Sequence, residues 1–337
     1  MKLKMRNLGL LALTAMLFLG GCSQGSDGSA ESGEGDGYTL KLGTALKEGD
    51  PIYDGLVEFS NSVKEKTDGN VTIEIFGSGS LGEDNDVIEQ AKSGANIAVV
   101  VDTGRLADMV PEIGILSAPY IVDDYEEASK VVQSDLFKEW ENQLADEQNL
   151  QIVSFNWYQG ERHMLTNKPI TTPDDMKGLK IRTINAPVFL ETMEALGASP
   201  AGIAWTEVYP GLQQNVIDAA EAQNPATYGA KLYEVADYLT KTRHFQLLTG
   251  IVASRTWMDS VPEEYQKVIY EEAQKFGEEA SQNTVKSLED YEKKMVDEGL
   301  KVNEVDVELF KEATDSVYDK FDGYRELQKE INNILGK

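Results

Sequence analysis

The sequence predicts an α/β fold made of two α/β units and closed by long helices. Strand-like and helix-like segments alternate from Tyr38, a second alternating series starts near Leu150, and an amphipathic run after residue 260 continues for roughly ten helical turns. A length of 337 residues agrees with about two domains and a sizeable core.

In the first series "YTLKLGTA" reads as a strand, and "PIYDGLVEFSNSVKEKT" puts Ile52, Leu56, Phe59 and Val63 on one helical face before "DG" stops it. "NVTIEIFG" alternates Val71, Ile73 and Ile75 as a strand does. "EDNDVIEQAKSG" is a capped helix closed by Gly94, and "NIAVVVDTG" is a continuous apolar run suited to a buried strand that ends at Asp102. This β-α-β-α-β order implies a layered sheet with crossover helices.

The second series opens with "LQIVSFNWYQGERHMLTN", predicted as a strand and a returning extended segment, followed by the turn "PDDMKG" and the strand "LKIRTI". "PVFLETMEALG" is a helix with Pro187 near its start and Gly197 just past its end. "SPAGIAW" is extended, and "TEVYPGLQQN" is a helix with Thr206 as a candidate cap and Pro210 tolerable only in its first turn. "VIDAAEAQNP" is a strand running into a loop. Tyr265, Val268, Ile269, Ala273 and Phe276 then recur at helical spacing, and so long a helix suits a bridge between domains. "VELFKEATDSVYDKFDGYRELQKEINNIL" is a last amphipathic segment.

Composition limits the function. Lys and Arg total 31 against 58 Asp and Glu, a net charge of −27 with pI near 4.4, which excludes the basic footprint that nucleic acid needs. The N-terminus carries Lys2, Lys4 and Arg6, then the fourteen apolar residues "LGLLALTAMLFLGG", too few to span a bilayer but suited to the core of a signal peptide. The chain is therefore expected to be exported. Its end, "LGGC", resembles the bacterial lipobox, in which the cysteine, here Cys22, carries lipid and becomes the mature N-terminus. The small and acidic "SQGSDGSAESGEGDG" behind it cannot fold and makes a tether. Cys22 is the only cysteine, which leaves no disulfide and no thiol nucleophile in the folded part.

Catalytic constellations are nearly absent. His163 and His244 have no metal-ligand spacing and read as surface or packing residues; no GxSxG, no GxGxxG after a strand and no Walker loop occurs. "GSGSLG" reads as a turn, because the following "EDND" would repel a phosphate. Positive charge is sparse. Of seven arginines, Arg105, Arg162 and Arg182 sit in or beside predicted strand ends, where ligands of open α/β sheets bind. Arg182, in "LKIRTI", is a permanent cation in an apolar strand, and either one of the many internal carboxylates or a ligand carboxylate can pair with it.

The stretch "DMKGLKIRTINAPVFLETMEALGASPAGIAWTEVYPGLQQNVIDAAEAQNP" resembles the signature region of the DctP family, the solute-binding proteins of tripartite ATP-independent periplasmic (TRAP) transporters. The string LKIR, then GASP, then EVY-x-x-LQ carries the likeness. "VKEKTDGNVTIEIFGSGSLGEDNDVIEQAKSGANIAVV" and "SAPYIVDDYEEA" extend it over nearly the whole mature chain.

The resemblance implies a two-domain, periplasmic-binding-protein-like α/β fold with an interdomain cleft, crossing strands and a long C-terminal bridging helix. The expected division is a signal peptide at 1–21, a lipidated tether at 22–37, domain I at 38–159 plus 250–289 and domain II at 160–249 plus 290–337. It also implies an ion-gradient-driven uptake system in which this monomeric component binds a small organic acid, a dicarboxylate or sugar acid, and hands it to membrane subunits. Arg182 then forms the salt bridge with the ligand carboxylate and Arg162 assists it. Asp102 and Arg105 reach the ligand from the first domain, Asn185 follows the signature arginine, and Trp205 is a wall. Where the family commonly shows E-N-P, this chain has "EAQNP", an apparent two-residue insertion that carries Glu221 and Asn224 over as contacts and bears on the specificity for the ligand's far end. No cofactor, metal or nucleic acid is implied, and the place is the periplasm or the outer face of the cell membrane. The rival readings are an extracellular enzyme acting on organic acids, for which Asp102 with His163 is the only acid/base pair on offer, and a surface adhesin lipoprotein.

Overall fold

The alternation of strands and helices folds into one nine-stranded mixed sheet in the computed structural model, which describes residues 37–337. The signal segment, Cys22 and the tether up to residue 36 lie outside the described residues. The first series forms β1 (Tyr38–Gly43), α1 (Pro51–Lys66), β2 (Val71–Phe76), α2 (Asp84–Lys92) and β3 (Ile97–Asp102). Its helices begin where a carboxylate satisfies free N–H groups: Asp50 accepts from Ile52 N–H and Glu83 from Asn85 N–H. β1 pairs in parallel with both β2 and β3, as crossover helices require. The helices α3 (Thr103–Leu106), α4 (Tyr125–Val132) and α5 (Asp135–Gln148) follow.

The second series holds β4 (Leu150–Thr166), β5 (Lys180–Thr183), α6 (Pro187–Ala195), β6 (Ser199–Gly202), α7 (Val208–Gln213), β7 (Ala219–Gln223) and α8 (Asn224–Gly229). The chain continues through β8 (Tyr238–Ser254), α9 (Arg255–Ser260), α10 (Glu263–Asp297), β9 (Lys301–Glu304), α11 (Val307–Thr314) and α12 (Tyr324–Leu335). Strand order is β2-β1-β3-β8-β4-β7-β5-β6, with β9 beside β8. The 17-residue strands β4 and β8 run antiparallel through both halves. β3 pairs with the end of β8, and β7 with the end of β4, so each long strand belongs to both lobes.

One face of the sheet carries a core that continues from Val99 and Phe155 to Ile181, Phe189 and Phe245. The other face carries two separate cores, one around Leu42, Phe59 and Trp157, the other around Leu165, Leu212 and Leu239. α10 joins them: Ile269, Ala273 and Phe276 pack in the first and Met295 in the second. At 35 residues, about 52 Å, it is the bridging helix that the periodicity predicts. Ser281 ties it to the sheet, accepting from Tyr158 N–H and donating to Asn156 O, both at 2.7 Å.

Four expectations change in detail. "LQIVSFNWYQGERHMLTN" is one strand rather than a strand and a return, because Gly160 at φ 114° makes a bulge in the ladder and not a reversal. Thr206 lies inside a 3-10 turn, Trp205–Glu207, and caps nothing, while Pro210 sits in the first turn of α7. "NP" after β7 opens a helix rather than a loop, with Pro225 in its first turn. The last amphipathic segment is interrupted between Thr314 and Tyr324, by a 3-10 turn at Asp315–Asp319 and by Gly323 at φ 81°, and so forms two helices; α12 leans on residues 111–132, and Tyr324 Oη donates to Pro111 O at 3.1 Å.

Candidate ligand-binding site

Between the lobes, at the ends of β3 and β5 and the middle of β4 and β8, lies a chamber of about 60 Å³. Arg162 and Arg182, and opposite them Asp84, Asp102 and Arg105, line it together with Gln159, Gln223 and Trp205. Local structure explains how Gln159 and Arg162 share it. Three residues apart, they would face opposite sides of a regular strand, and the extra residue at the Gly160 bulge turns both to the same side.

The two arginines of the second lobe are equally buried, each 2% exposed, but differ in partners. Arg162 is fully matched: Nε donates to Glu221 Oε2, one terminal nitrogen to Glu221 Oε1 at 2.9 Å and to Glu221 O at 2.7 Å, and the other to Gln223 Oε1 at 2.7 Å. Thr183 donates to the same carboxylate at 2.8 Å, and His244 Nε2 lies 3.6 Å away. Burial would push Glu221 up, but Arg162 and His244 outweigh it and hold its pKa at about 2. Among the described residues Arg182 has a single hydrogen bond, from Nε to Ile203 O at 3.0 Å, and its guanidinium carbon stands 5.3 Å from the centre of the Trp205 ring. Among the described residues no carboxylate lies within 4.0 Å of it. Burial first, then the Arg162 cation, pushes its pKa down to about 9, so at neutral pH it remains a cation without a counter-ion.

The first lobe reverses the balance. Arg105 stands between two carboxylates, paired with Asp102 and 3.2 Å from Asp84, and Asp102 also accepts from Arg105 N–H at the head of α3. Burial raises the pKa of Asp84 more than Arg105 lowers it. One wall therefore carries two acids on one arginine, and the other two arginines on one acid.

The chamber brings together Arg182, Arg162, Trp205, Asp102 and Arg105 from the sequence expectations. Three expected contacts do not reach it. Glu221 is fully buried behind Arg162 and is spent on it. Asn224 faces away: its amide donates to Leu288 O of α10 at 3.2 Å, because alternation along the end of β7 puts Gln223 inward instead. Asn185 is exposed on the rim, beyond the buried Ile184, and its carbonyl accepts from Asn85 of the first lobe at 3.4 Å. His163 and His244 are fully buried, so packing and not surface describes them, and His163 sits by Glu161 at 3.2 Å rather than in the chamber with Asp102. Asp84, Gln159 and Gln223 were not anticipated. Their one sequence signal is a polar side chain at the head of a helix or inside an apolar strand.

A family profile described as bacterial extracellular solute-binding protein, family 7 (DctP) matches residues 42–323. Among solved structures, a TRAP periplasmic solute-binding protein of Escherichia fergusonii in an apo open form is 41% identical, with a TM-score of 0.77 over 88% of this chain and 99% of that one. One from Actinobacillus succinogenes with bound L-galactonate is 31% identical, with a TM-score of 0.84 over 88% and 99%. One from Ochrobacterium anthropi with bound L-fuconate is 32% identical, with a TM-score of 0.85 over 88% and 100%. The more identical open structure overlays less well than the two liganded ones. The chain belongs to the DctP family of bacterial extracellular solute-binding proteins.

Proposed function

We propose that this protein is the extracytoplasmic solute-binding component of a TRAP-type transporter, and that it captures a hydroxylated monocarboxylic acid by pairing the ligand carboxylate with Arg182. The carrying observation is that Arg182 is a buried cation with no counter-ion among the described residues, while Arg162 and Arg105 each have one. A carboxylate at Arg182 gains charge-assisted hydrogen bonds in a dry site, each about 1.5–3 kcal/mol. One uncompensated cation matches one carboxylate. The opposite wall, with Asp84, Asp102, Gln159 and Gln223, offers acceptors and amides suited to hydroxyl groups, in keeping with the sugar acids bound by the two liganded relatives.

In this reading the domains are 38–159 plus 250–289 and 160–249 plus 290–337, and they hinge on β4, β8 and α10. Closure dries the chamber and strengthens the Arg182 pair, and the closed form is what the membrane subunits read. Lipid on Cys22 holds the protein at the membrane, so Cys22→Ser should release it into the medium or periplasm. The acid leaves chemically unchanged, as its recovery from purified protein would show. The decisive test is Arg182→Ala: affinity for a cognate sugar acid, by calorimetry, should fall at least about a hundredfold with the fold intact. Unchanged affinity would remove Arg182 from the site.

A further inference from the structure

Outside Trp205 the chamber opens into a second cavity of about 540 Å³, which shares Ala45, Leu46, Trp205 and Ala226 with the first. Size sets the first constraint. At about 60 Å³ the inner chamber is several-fold below the ~300–1,000 Å³ usual for small-molecule sites, and the outer cavity falls within that range. A solute that pairs its carboxylate with Arg182 and is too large for the inner chamber runs past Trp205 into the outer cavity.

The lining sets the second. Tyr209, Tyr228, Tyr233 and Tyr291 join Trp205 there, four of the chain's fourteen tyrosines in one pocket. Tyr228 stacks on Tyr233 with centroids 5.5 Å apart and meets Tyr291 at 5.6 Å. Lys294 Nζ rests 4.8 Å from the Tyr291 ring and 5.5 Å from that of Tyr228. Neither Lys294 nor Lys47, on the facing lobe, has a carboxylate within 4.0 Å among the described residues, so both keep their donors free in a protein rich in acids; Glu48 and Asp50 supply acceptors. Flat aromatic faces edged with donors and acceptors suit a ring that has apolar faces and a polar rim. A pyranose is such a ring. The cavity also lies across both lobes, and Tyr291 Oη donates to Gly49 O at 3.0 Å, so an occupant would touch both sides of the cleft.

We infer that the outer cavity is a sugar subsite, and that the protein takes glycosylated sugar acids, in which an aldonate held at Arg182 carries a second pyranose lying against Tyr228. This rests on the Arg182 reading above. The test is calorimetry of the purified chain with D-gluconate and L-galactonate against the aldobionates lactobionate, cellobionate and maltobionate. At least one aldobionate should bind tenfold or more tighter than either aldonate. Tyr228→Ala and Lys294→Gln should remove that advantage and leave aldonate affinity within about twofold, and a matching unfolding midpoint shows that the variants fold. Aldonates binding as tightly as all three aldobionates would overturn the subsite and leave the Arg182 reading standing. Aldobionate binding that survives Arg182→Ala would overturn that reading and this inference with it.

Discussion

Arg162 and Arg182 are the same residue type at the same depth, twenty positions apart on two strands that flank β7, yet they do opposite work. Arg162 is part of the protein's own electrostatics, with four hydrogen bonds that include both oxygens of Glu221. Arg182 is kept charged and unmatched beside it. A buried cation is neither structural nor functional by burial alone; its partners decide. Glu221 neutralises the first arginine so that the two can lie close together, and the second keeps its charge with no carboxylate partner among the described residues.

The largest expected effect falls on the matched arginine. Arg162→Met leaves Glu221 buried without its cation and should cost about 3–5 kcal/mol of stability, read as a lowered denaturant midpoint. A neutral result would mean that Glu221 finds another partner and that the two arginines are interchangeable. Next comes acid. Glu221 has a folded pKa of about 2 against an ordinary 4.5, so its contribution is complete above about pH 4.5 and is lost as pH falls toward 2. His244, held below its ordinary value by burial despite Glu221, acts in the same direction: its contribution is complete above its ordinary 6.5 and falls as pH drops below it. Glu221→Gln should therefore flatten the acid limb of the melting profile between about pH 4.5 and 2; an unchanged slope would show that the Arg162 pair does not govern it.

For the unmatched arginine the stability sign reverses. Arg182→Met removes a buried charge that has no counter-ion, so the melting point of the ligand-free protein should hold or rise, while the ligand-induced shift disappears. A large loss of ligand-free stability would reveal an internal partner and end the contrast. Trp205→Leu takes away the ring facing Arg182 and should weaken binding by about two- to thirtyfold, the range of a partly desolvated cation–π contact of about 0.5–2 kcal/mol. Asn185→Ala, on the exposed rim, should change affinity by less than about twofold by the same calorimetry.

Much of this was legible before folding. The first β-α-β-α-β series, the helix of α6 between Pro187 and Gly197, and the long α10 follow from hydrophobic period and from capping or breaking residues, which act over a few neighbours. Arg182 was legible as an anomaly, a permanent charge in an apolar strand. The site's second layer was not. The Gly160 bulge breaks the two-residue alternation, so Gln159 and Arg162 share a wall where a regular strand would separate them. Alternation at the end of β7 points Gln223 inward, and Asn224, the first residue of α8, turns toward α10. Asp84 belongs to an anion-repelling run in the sequence, and only the fold sets Arg105 against it.

The sequence by itself determined the fold class, the sparse and oddly placed cations, and Arg182 as a permanent charge in an apolar strand, because periodicity, helix ends and side-chain charge are local properties. Only the tertiary structure decided which cation has a partner. Pairing at about 3 Å joins strands brought together from 59 residues apart, as in Arg162 with Glu221, and no spacing along the chain records that distance.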